Sequence, residues 1–311
     1  MEPIVTILMA AYNGEKYISE QIESIIDQSY SNWKLVIQDD CSTDNTCIVA
    51  ADYVQKYEGK IILFRRSKPS GSAKKNFFDM LKYSGTDYIM TCDQDDVWLP
   101  DKIKITVNKM IELERLNRVN LPILIHTDAK VVDSELKVLA DSLFAYQKLD
   151  NRRDKLNNLL VQNEITGCTM MINRALLEKV KCIPEKAIMH DWWFALLASA
   201  LGRIGYINEP TVLYRQHDEN EVGAKNVDSF KYIINRIFSG SSIQSALSDT
   251  YLQAKDFVDT FREQLSEKQL EVIDAYLSLP NVNKIKRIYK ISKYDFWKSG
   301  KARRMGQIIF A

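Results

Sequence analysis

The chain has 311 residues, of which 46% are hydrophobic and 27% charged, and its 42 basic and 41 acidic side chains leave a net charge of +1. This composition is sufficient for one large folded domain or two modest ones, and it excludes a disordered or fibrous protein. The near-zero net charge gives no reason to expect nucleic acid as a partner.

Strand-like and helix-like patterns alternate from the N-terminus. Residues 4–12 are a continuous apolar run, an Asn-Gly turn follows, and apolar residues then recur at helical spacing up to residue 26. The cycle repeats with strands predicted at 34–38, 60–64 and 88–92 and helices at 44–57 and 74–83. This alternation predicts a parallel sheet covered by helices on both faces over about the first hundred residues.

The rest of the chain mixes the two patterns less regularly. Helices are predicted at 101–118, 154–161 and 192–201, and strands at 123–127, 130–132, 167–172, 204–207 and 211–214. From residue 228 onward only helical patterning remains, interrupted by Gly-Ser and Pro breaks. We therefore expect an added helical module at the C-terminus.

Cysteine content and apolar runs indicate the cellular compartment. The five cysteines include no CxxC pair, and an odd number is a poor disulfide framework, so a reduced, cytoplasmic setting is expected. The N-terminal residues lack the basic and apolar regions of a signal peptide. The longest uncharged apolar runs fall short of the roughly 18 residues that span a bilayer, so any membrane contact is expected to be peripheral.

Polar side chains follow three of the predicted strands at their carboxyl ends. The sequence there is Ala-Tyr-Asn-Gly at 11–14, Asp-Asp at 39–40 and Asp-Gln-Asp-Asp at 93–96. Ligands bind at this edge of a parallel sheet, and five carboxylates brought together need a counter-cation or strong hydrogen-bond donors. A divalent ion such as Mg²⁺ or Mn²⁺ is expected, because a sparse Asp-x-Asp binds it together with substrate phosphates.

These motifs, in this order, resemble glycosyltransferase family 2, the inverting enzymes of GT-A type, over most of residues 1–220. The resemblance implies an α/β GT-A fold with a mostly parallel central sheet flanked by helices. It implies a catalytic domain at 1–225, in which 1–100 form the nucleotide-sugar-binding half and 101–225 the acceptor and catalytic half. A C-terminal helical region with a basic tail would occupy 226–311.

The resemblance assigns a nucleotide-sugar site to the first half. Tyr12 would stack near the base, Asp40 would accept the pyrimidine N3–H, and Asp93 and Asp95 would hold the ribose and the metal that bridges the diphosphate. The implied nucleotide-sugar-binding set is Ala10, Tyr12, Asp39, Asp40, Lys75, Asn76, Asp93, Gln94 and Asp95. Two alternatives stay open: ordinary helix surface for Lys75 and Asn76, and a capped helix start for the run at 39–44.

The second half is expected to hold the acceptor and the general base. Inverting transfer needs a base beside the attacking hydroxyl, and the resemblance assigns this role to Asp191, for which a plain helix N-cap is the alternative. The expected acceptor-binding residues are Gly167, His190 and Trp192, and His190 replaces the Glu that the family usually carries.

A histidine completes the implied metal site. His217 matches a histidine that many GT-A enzymes use as a metal ligand, so Asp93, Asp95 and His217 would bind Mn²⁺ or Mg²⁺ as the cofactor. A structural role is the alternative for His217. His126 lies within an apolar strand and is predicted to be a core residue.

Three motifs are most similar to bacterial rhamnosyltransferases of surface polysaccharide and cell wall synthesis: those at 92–98, 190–193 and 214–217. The implied donor is dTDP-L-rhamnose and the implied acceptor a growing or lipid-linked glycan, with UDP-galactose, UDP-glucose or UDP-N-acetylglucosamine as alternative donors. Asp-x-Asp-x-Val at 93–97 also fits a haloacid-dehalogenase-type phosphatase, although the later Gly-Asp-x-x-x-Asp motif is missing. A non-catalytic nucleotide-sugar-binding or scaffold subunit is the alternative from another class.

The balanced net charge conceals a basic C-terminus. Residues 281–311 carry nine Lys and Arg against one Asp, or +8, so the preceding residues carry −7. Aromatic and aliphatic side chains alternate with these bases at helical spacing, a pattern that suits the anionic inner face of the cell membrane. Packing on the body of the protein or a subunit contact is the alternative.

Overall fold

The first hundred residues fold as the alternating strands and helices that their sequence predicts. The computed structural model describes residues 2–117, 120–180, 184–217 and 240–310. The first elements are β1 (Val5–Ala11), α1 (Ile18–Ile26), β2 (Trp33–Asp39), α2 (Thr46–Lys56), β3 (Ile61–Arg65), α3 (Ala73–Met80) and β4 (Tyr88–Asp93). β1 and β2 are buried on both faces, which explains their nearly continuous apolar sequences. The observed bounds differ from the predicted ones by one or two residues, except that α3 ends early and a 3-10 turn continues it to Tyr83.

The middle of the chain completes the sheet and adds short helices. Its elements are β5 (Val97–Trp98), α4 (Lys102–Leu116), β6 (Ile123–Val132), β7 (Val138–Ala140), α5 (Leu143–Gln147), α6 (Leu156–Leu159), β8 (Met170–Asn173), α7 (Arg174–Leu177), α8 (His190–Leu201) and β9 (Arg203–Arg215). β6 and β9 are each one strand where two short strands were predicted. β6 continues through Asp128 because that buried carboxylate accepts the N–H groups of Ala129 and Leu143 at 2.8 and 3.0 Å. A polar residue that is bonded in this way does not end a strand.

The strands of the described ranges form one mixed sheet in the order β3-β2-β1-β4-β8-β6-β9-β5, with β7 paired to β6. β3, β2, β1 and β4 are parallel, whereas β8 runs antiparallel to both β4 and β6. In the parallel part, Ala10 pairs with Gln38 of β2 and with Asp93 of β4. This register ends three strands at the same edge, so the loops that follow them converge.

The chain divides into two compact units. The first comprises 1–143, 165–183 and 204–223, and the second comprises 144–164, 184–203 and 224–311. The first unit contains the sheet, apart from Arg203 at the start of β9. Segments 144–164 and 184–203 thus group with the C-terminal helices, and the boundary predicted at 225 lies outside the described residues.

The second unit is helical and has an aromatic core. Its C-terminal helices are α9 (Gly240–Phe261), α10 (Glu267–Leu277), α11 (Lys284–Lys293) and α12 (Lys301–Phe310), which confirms the helical patterning over the described residues, those at 228–239 lying outside them. Trp193 of α8 contacts Phe257 edge-on with ring centroids 5.5 Å apart, and Tyr276 contacts Phe296 at 5.1 Å. Within the described ranges, no helix combines the length and the apolar character needed to cross a bilayer.

Candidate active site

The loops that follow β1 and β2 are tied together by hydrogen bonds. The Asn13 N–H donates to the Ser42 hydroxyl at 2.9 Å, and the Gly14 N–H donates to the Thr46 hydroxyl at 2.7 Å. Asp44 accepts the N–H of Thr46, the first residue of α2, at 3.0 Å. The N-cap of α2 is Asn45, without a side-chain cap bond, so Asp44 lies one residue before the cap that the alternative assigned to this run. The two loops together form one wall of the sheet edge.

The two carboxylates at the end of β2 differ in their partners. Asp39 is fully buried and pairs with Arg65 at 3.5 Å. Asp40 accepts both the N–H and the hydroxyl of Ser70 at 2.6 Å, and the Nε of Arg66 lies 3.2 Å away. Each carboxylate thus lies beside an arginine, Arg65 at the end of β3 for Asp39 and Arg66 directly after it for Asp40.

The two residues predicted from α3 have different surroundings. Lys75 is exposed, as the ordinary-surface alternative describes. Asn76 is buried: its amide donates to the Gln38 carbonyl at 3.2 Å and accepts from the Gln38 side chain at 2.7 Å. Asn76 therefore connects α3 to β2, which the surface alternative does not describe.

Tyr12 and Gln94 meet between the ends of β1 and β4. Tyr12 as a whole is 55% exposed, while its backbone N–H and carbonyl bond the Gln94 side-chain amide at 2.9 and 2.8 Å. Ala10, two residues earlier, is the last residue of β1 that pairs with β4. The nucleoside-binding and Asp-x-Asp segments predicted from the sequence are therefore in direct contact.

The predicted metal ligands lie at the end of β4, directly after it, and after β9. His217 Nε2 is 2.8 Å from Asp95 Oδ2, and both side chains are largely buried. Asp93 lies beside Asp96 and Cys168, with their ligand atoms within 4.8 Å of one another. Carboxylate oxygens and an imidazole nitrogen are suitable ligands for Mn²⁺ or Mg²⁺, so the residues present fit a divalent cation.

The region around Asp96 brings several acidic groups together inside the protein. Asp96 is fully buried, and burial together with the charges of Asp95 and Asp93 raises its pKa well above the usual range of a carboxyl group. Burial lowers the pKa of the neighbouring Lys102 to about 8. Cys168, also fully buried, has its pKa raised by burial and by Asp96. This excess of acidic groups is the electrostatic condition that a bound cation would relieve.

Arg215 anchors the Asp-x-Asp segment, and the sequence reasoning assigned it no role. Its Nε donates to the Asp95 carbonyl at 2.7 Å and its Nη1 to the Ser134 carbonyl at 2.6 Å. Its Nη2 bonds the Glu20 carboxylate, and its guanidinium lies over the Tyr17 ring at 4.6 Å. Its position two residues before His217, in Tyr-Arg-Gln-His, is the only signal in the sequence. A buried guanidinium therefore joins the backbone of one proposed metal ligand to the strand that leads to the other.

Asp191 belongs to the second unit and lies in the first turn of α8. The helix begins at His190 with Met189 as its N-cap, so the N-cap alternative for Asp191 is wrong. Asp191 accepts the Trp192 N–H at 2.6 Å. The Trp192 indole donates to the Leu159 carbonyl at 2.6 Å. Burial lowers the pKa of His190 to about 3, so this ring is neutral at ordinary pH.

Gly167 and His126 lie in the first unit. Gly167 begins a 3-10 turn where a strand was predicted, and its carbonyl accepts the Thr91 hydroxyl at 2.7 Å. His126 is buried in β6 with its ring centroid 5.0 Å from that of Tyr206, and burial lowers its pKa to about 3. The prediction of a core histidine is confirmed.

Comparisons with known proteins concern the family and the fold of this chain. The family model described as Glycosyl transferase family 2 matches residues 6–180. The chain is 32% identical over 238 residues to the dTDP-rhamnosyl transferase RfbG of Shigella flexneri. The aligned region covers 72% of this chain and 76% of that protein.

Two solved structures resemble the fold at low sequence identity. S. aureus TarS 1-349 in complex with UDP-GlcNAc has a TM-score of 0.58 at 17% identity, covering 93% of this chain and 72% of that one. The mannosyltransferase PcManGT from Pyrobaculum calidifontis, in complex with GDP-Man and Mn²⁺, has a TM-score of 0.53 at 15% identity, covering 98% and 79%. These likenesses concern the fold, and they confirm the α/β architecture of GT-A type.

Arg215→Met is expected to lower the free energy of unfolding by about 3 kcal/mol, because two carbonyls and a carboxylate lose a donor inside the first unit. The Asp95 segment would shift, so the affinity for Mn²⁺ would fall as well. Urea unfolding and a Mn²⁺ titration followed by electron paramagnetic resonance measure the two effects. The exposed Arg152→Met is the control and should leave both nearly unchanged. Wild-type stability and Mn²⁺ affinity in Arg215→Met would contradict the anchoring role.

Proposed function

We propose that this chain, which belongs to glycosyltransferase family 2, transfers L-rhamnose from dTDP-L-rhamnose to a hydroxyl of a growing or lipid-linked bacterial polysaccharide. Membership of the family makes the chain a glycosyltransferase and excludes the phosphatase alternative. The observation that carries the choice of donor is the 32% identity, over 72% of the chain, to a relative named as a dTDP-rhamnosyl transferase.

In this proposal Asp40 selects the base. Ser70 takes two of the roughly four lone-pair sites of the Asp40 carboxylate, and Arg66 lies beside it as a cation, so sites remain for a ligand donor. Thymine and uracil offer an N3–H to such a site, whereas cytosine does not. The ring of the exposed Tyr12 stacks on the base, and Ala10 and Asp39 complete this side of the pocket.

Asp93, Asp95 and His217 are the proposed ligands of Mn²⁺ or Mg²⁺. The contact between Asp95 and His217 and the excess of acidic groups support this assignment. When bound, the cation neutralises charge on the diphosphate that leaves. Lys75 and Asn76 are proposed to face the diphosphate or the sugar from α3.

Asp191 is the proposed general base. Its carboxylate lies in the first turn of α8. The acceptor oxygen bonds to the anomeric carbon while the bond from that carbon to the dTDP oxygen breaks on the opposite face. Asp191 takes the proton of the acceptor hydroxyl, and dTDP leaves with the electron pair. Gly167, His190 and Trp192 are the proposed acceptor-binding residues, among which His190 contributes a neutral ring.

Two alternatives differ from this proposal in what they predict. A donor carrying UDP with galactose, glucose or N-acetylglucosamine would offer the same N3–H to Asp40, and one structural neighbour holds UDP-GlcNAc. A scaffold subunit would keep the nucleotide site without transferring a sugar.

A panel of nucleotide sugars separates these possibilities. With Mn²⁺ and a rhamnose-terminated acceptor, we expect dTDP release from dTDP-L-rhamnose at least tenfold faster than UDP release from any UDP-sugar. Addition of EDTA should stop the release, and omission of the acceptor should slow it. Faster release of UDP from a UDP-sugar would identify that sugar as the donor instead of dTDP-L-rhamnose. Nucleotide binding without any release would favour the scaffold subunit.

Substitutions at the base and at a metal ligand should have different consequences. Asp191→Asn is expected to reduce transfer more than a thousandfold while dTDP affinity in the presence of Mn²⁺ stays within twofold, because only the proton acceptor is lost. Asp95→Ala is expected to weaken dTDP binding itself. Calorimetric titration and initial rates measure both, with the exposed Asp259→Asn as the control. Equal loss of binding in both variants would contradict the assignment of Asp191.

We further propose that the chain acts at the inner face of the cell membrane, held there through α11 and α12. The Lys284 ammonium donates to the Ile309 carbonyl at 3.2 Å, which brings the two helices together. Their exposed apolar side chains are Ile285, Tyr289, Met305, Ile308 and Ile309, and their exposed basic side chains are Lys284, Lys286, Lys293, Lys301 and Arg304. We call these ten side chains the tail face. An apolar surface rimmed by bases complements anionic phospholipid.

Charge reversal on the tail face tests membrane binding without disturbing the core. Removal of the whole tail would also remove the buried Ile291 and Phe296, so point substitutions are preferable. Lys286→Glu with Arg304→Glu is expected to weaken binding to phosphatidylglycerol vesicles at least tenfold, while rates with a water-soluble acceptor stay unchanged. Vesicle co-sedimentation measures this, with the exposed Lys255→Glu as the control. Undiminished vesicle binding would contradict the membrane role.

A further inference from the structure

The Gln94 side chain continues the pairing of β1 with β4 beyond the point where the strands end. The last backbone pair joins Ala10 to Asp93, after which β4 ends. The Gln94 amide then accepts the Tyr12 N–H at 2.9 Å and donates to the Tyr12 carbonyl at 2.8 Å. A carboxamide carries one acceptor and one donor side, so it replaces the peptide group that a longer β4 would have presented to Tyr12.

Gly14 leaves the space that this amide occupies. A Cβ atom at Gly14 would lie 2.2 Å from Gln94 Oε1, 2.3 Å from its Cδ and 2.7 Å from its Nε2. No φ constraint requires glycine here, because Gly14 is not among the residues with positive φ. The amide is the end of a flexible side chain, so a methyl group at Gly14 would displace it and break both bonds to Tyr12.

The next two residues of this loop bond in the other direction. The N–H groups of Asn13 and Gly14 donate to the hydroxyls of Ser42 and Thr46, on the side of β2. The Gln94 amide connects the Tyr12 backbone to the segment that carries Asp93 and Asp95. The position of the Tyr12 ring and that of the Asp-x-Asp segment are therefore mechanically linked through one side chain.

We propose that Gln94 is a positioning residue that holds Tyr12 in register with the Asp-x-Asp segment, and that Gly14 is glycine because this amide must fit beside it. The inference rests on the proposed nucleotide site and deepens it: Gln94 acts on the nucleoside through the Tyr12 backbone instead of touching the donor itself. Binding of the diphosphate end at Asp93 and Asp95 then favours the Tyr12 geometry that binds the base, and the reverse holds equally.

A double-substitution cycle tests the proposal. Gln94→Ala and Gly14→Ala are each expected to weaken dTDP binding in the presence of Mn²⁺ about tenfold. The double variant should bind dTDP no more weakly than Gln94→Ala alone, because the methyl group then meets no amide. Gly85→Ala is the matched control, since a Cβ atom there meets nothing within 4 Å. Losses that multiply in the double variant would overturn the proposal, because they would show that Gly14 and Gln94 act independently.

Amide hydrogen exchange provides a readout that needs no ligand. In Gln94→Ala the Tyr12 N–H is expected to exchange at least tenfold faster, while the Gly14 N–H, bonded to Thr46, keeps its wild-type rate. Unchanged Tyr12 exchange would overturn the positioning role. If the wild-type chain bound none of dTDP, UDP and GDP, the proposed donor site would fail, and the exchange rates would still decide whether Gln94 holds Tyr12.

Discussion

The register of the three central strands is the constraint on which the candidate site depends. Ala10 of β1 pairs with Gln38 of β2 and with Asp93 of β4, so these three strands end side by side. Parallel strands place all three exits at one edge, where the loops can touch. Because the strands end side by side, Tyr12 can contact Gln94, and the loop after β1 can contact the loop after β2. A slip of one residue in either pairing would turn alternate side chains to the other face and separate them.

The carboxylates at this edge of the sheet differ in their partners. Asp39 and Asp40 each meet an arginine, so their charges are largely compensated within the chain. Asp96 is buried, and its raised pKa reflects the neighbouring acids. Asp95 contacts the imidazole of His217. The site is therefore organised around one region in which acidic groups gather, and the bond from Arg215 to the Asp95 carbonyl connects that region to β9.

The basic tail is partly structural. Arg303 donates to the Gln147 carbonyl at 2.8 Å and Arg287 to the Leu279 carbonyl at 2.7 Å. Lys290 bonds the Ser278 hydroxyl at 2.6 Å. These bases hold the second unit together, whereas the basic side chains of the tail face remain in contact with solvent. The charge of +8 thus overstates what the tail can offer to a partner.

The sequence by itself determined the alternating elements of the first hundred residues, because their buried strands are apolar runs and their loops carry Gly and Asn. It also placed Tyr12, Asp40, Asp93 and Asp95 at strand ends, and the three ordered motifs were sufficient to identify the family. The sequence predicted strand bounds less well where they depend on distant partners. It predicted a break in β6 at Asp128, whereas the bonds of this side chain to Ala129 and Leu143 allow the strand to continue.

Only the tertiary structure decided how the site is held together. Gln94 and Tyr12 are 82 positions apart along the chain, and Arg215 and Asp95 are 120 apart. A local pattern cannot show that a side-chain amide extends a strand or that a guanidinium reaches a carbonyl across the sheet. It could not show either that 144–164 and 184–203 group with the C-terminal helices. Such contacts arise from the sheet order and register, since these bring distant segments within hydrogen-bonding distance.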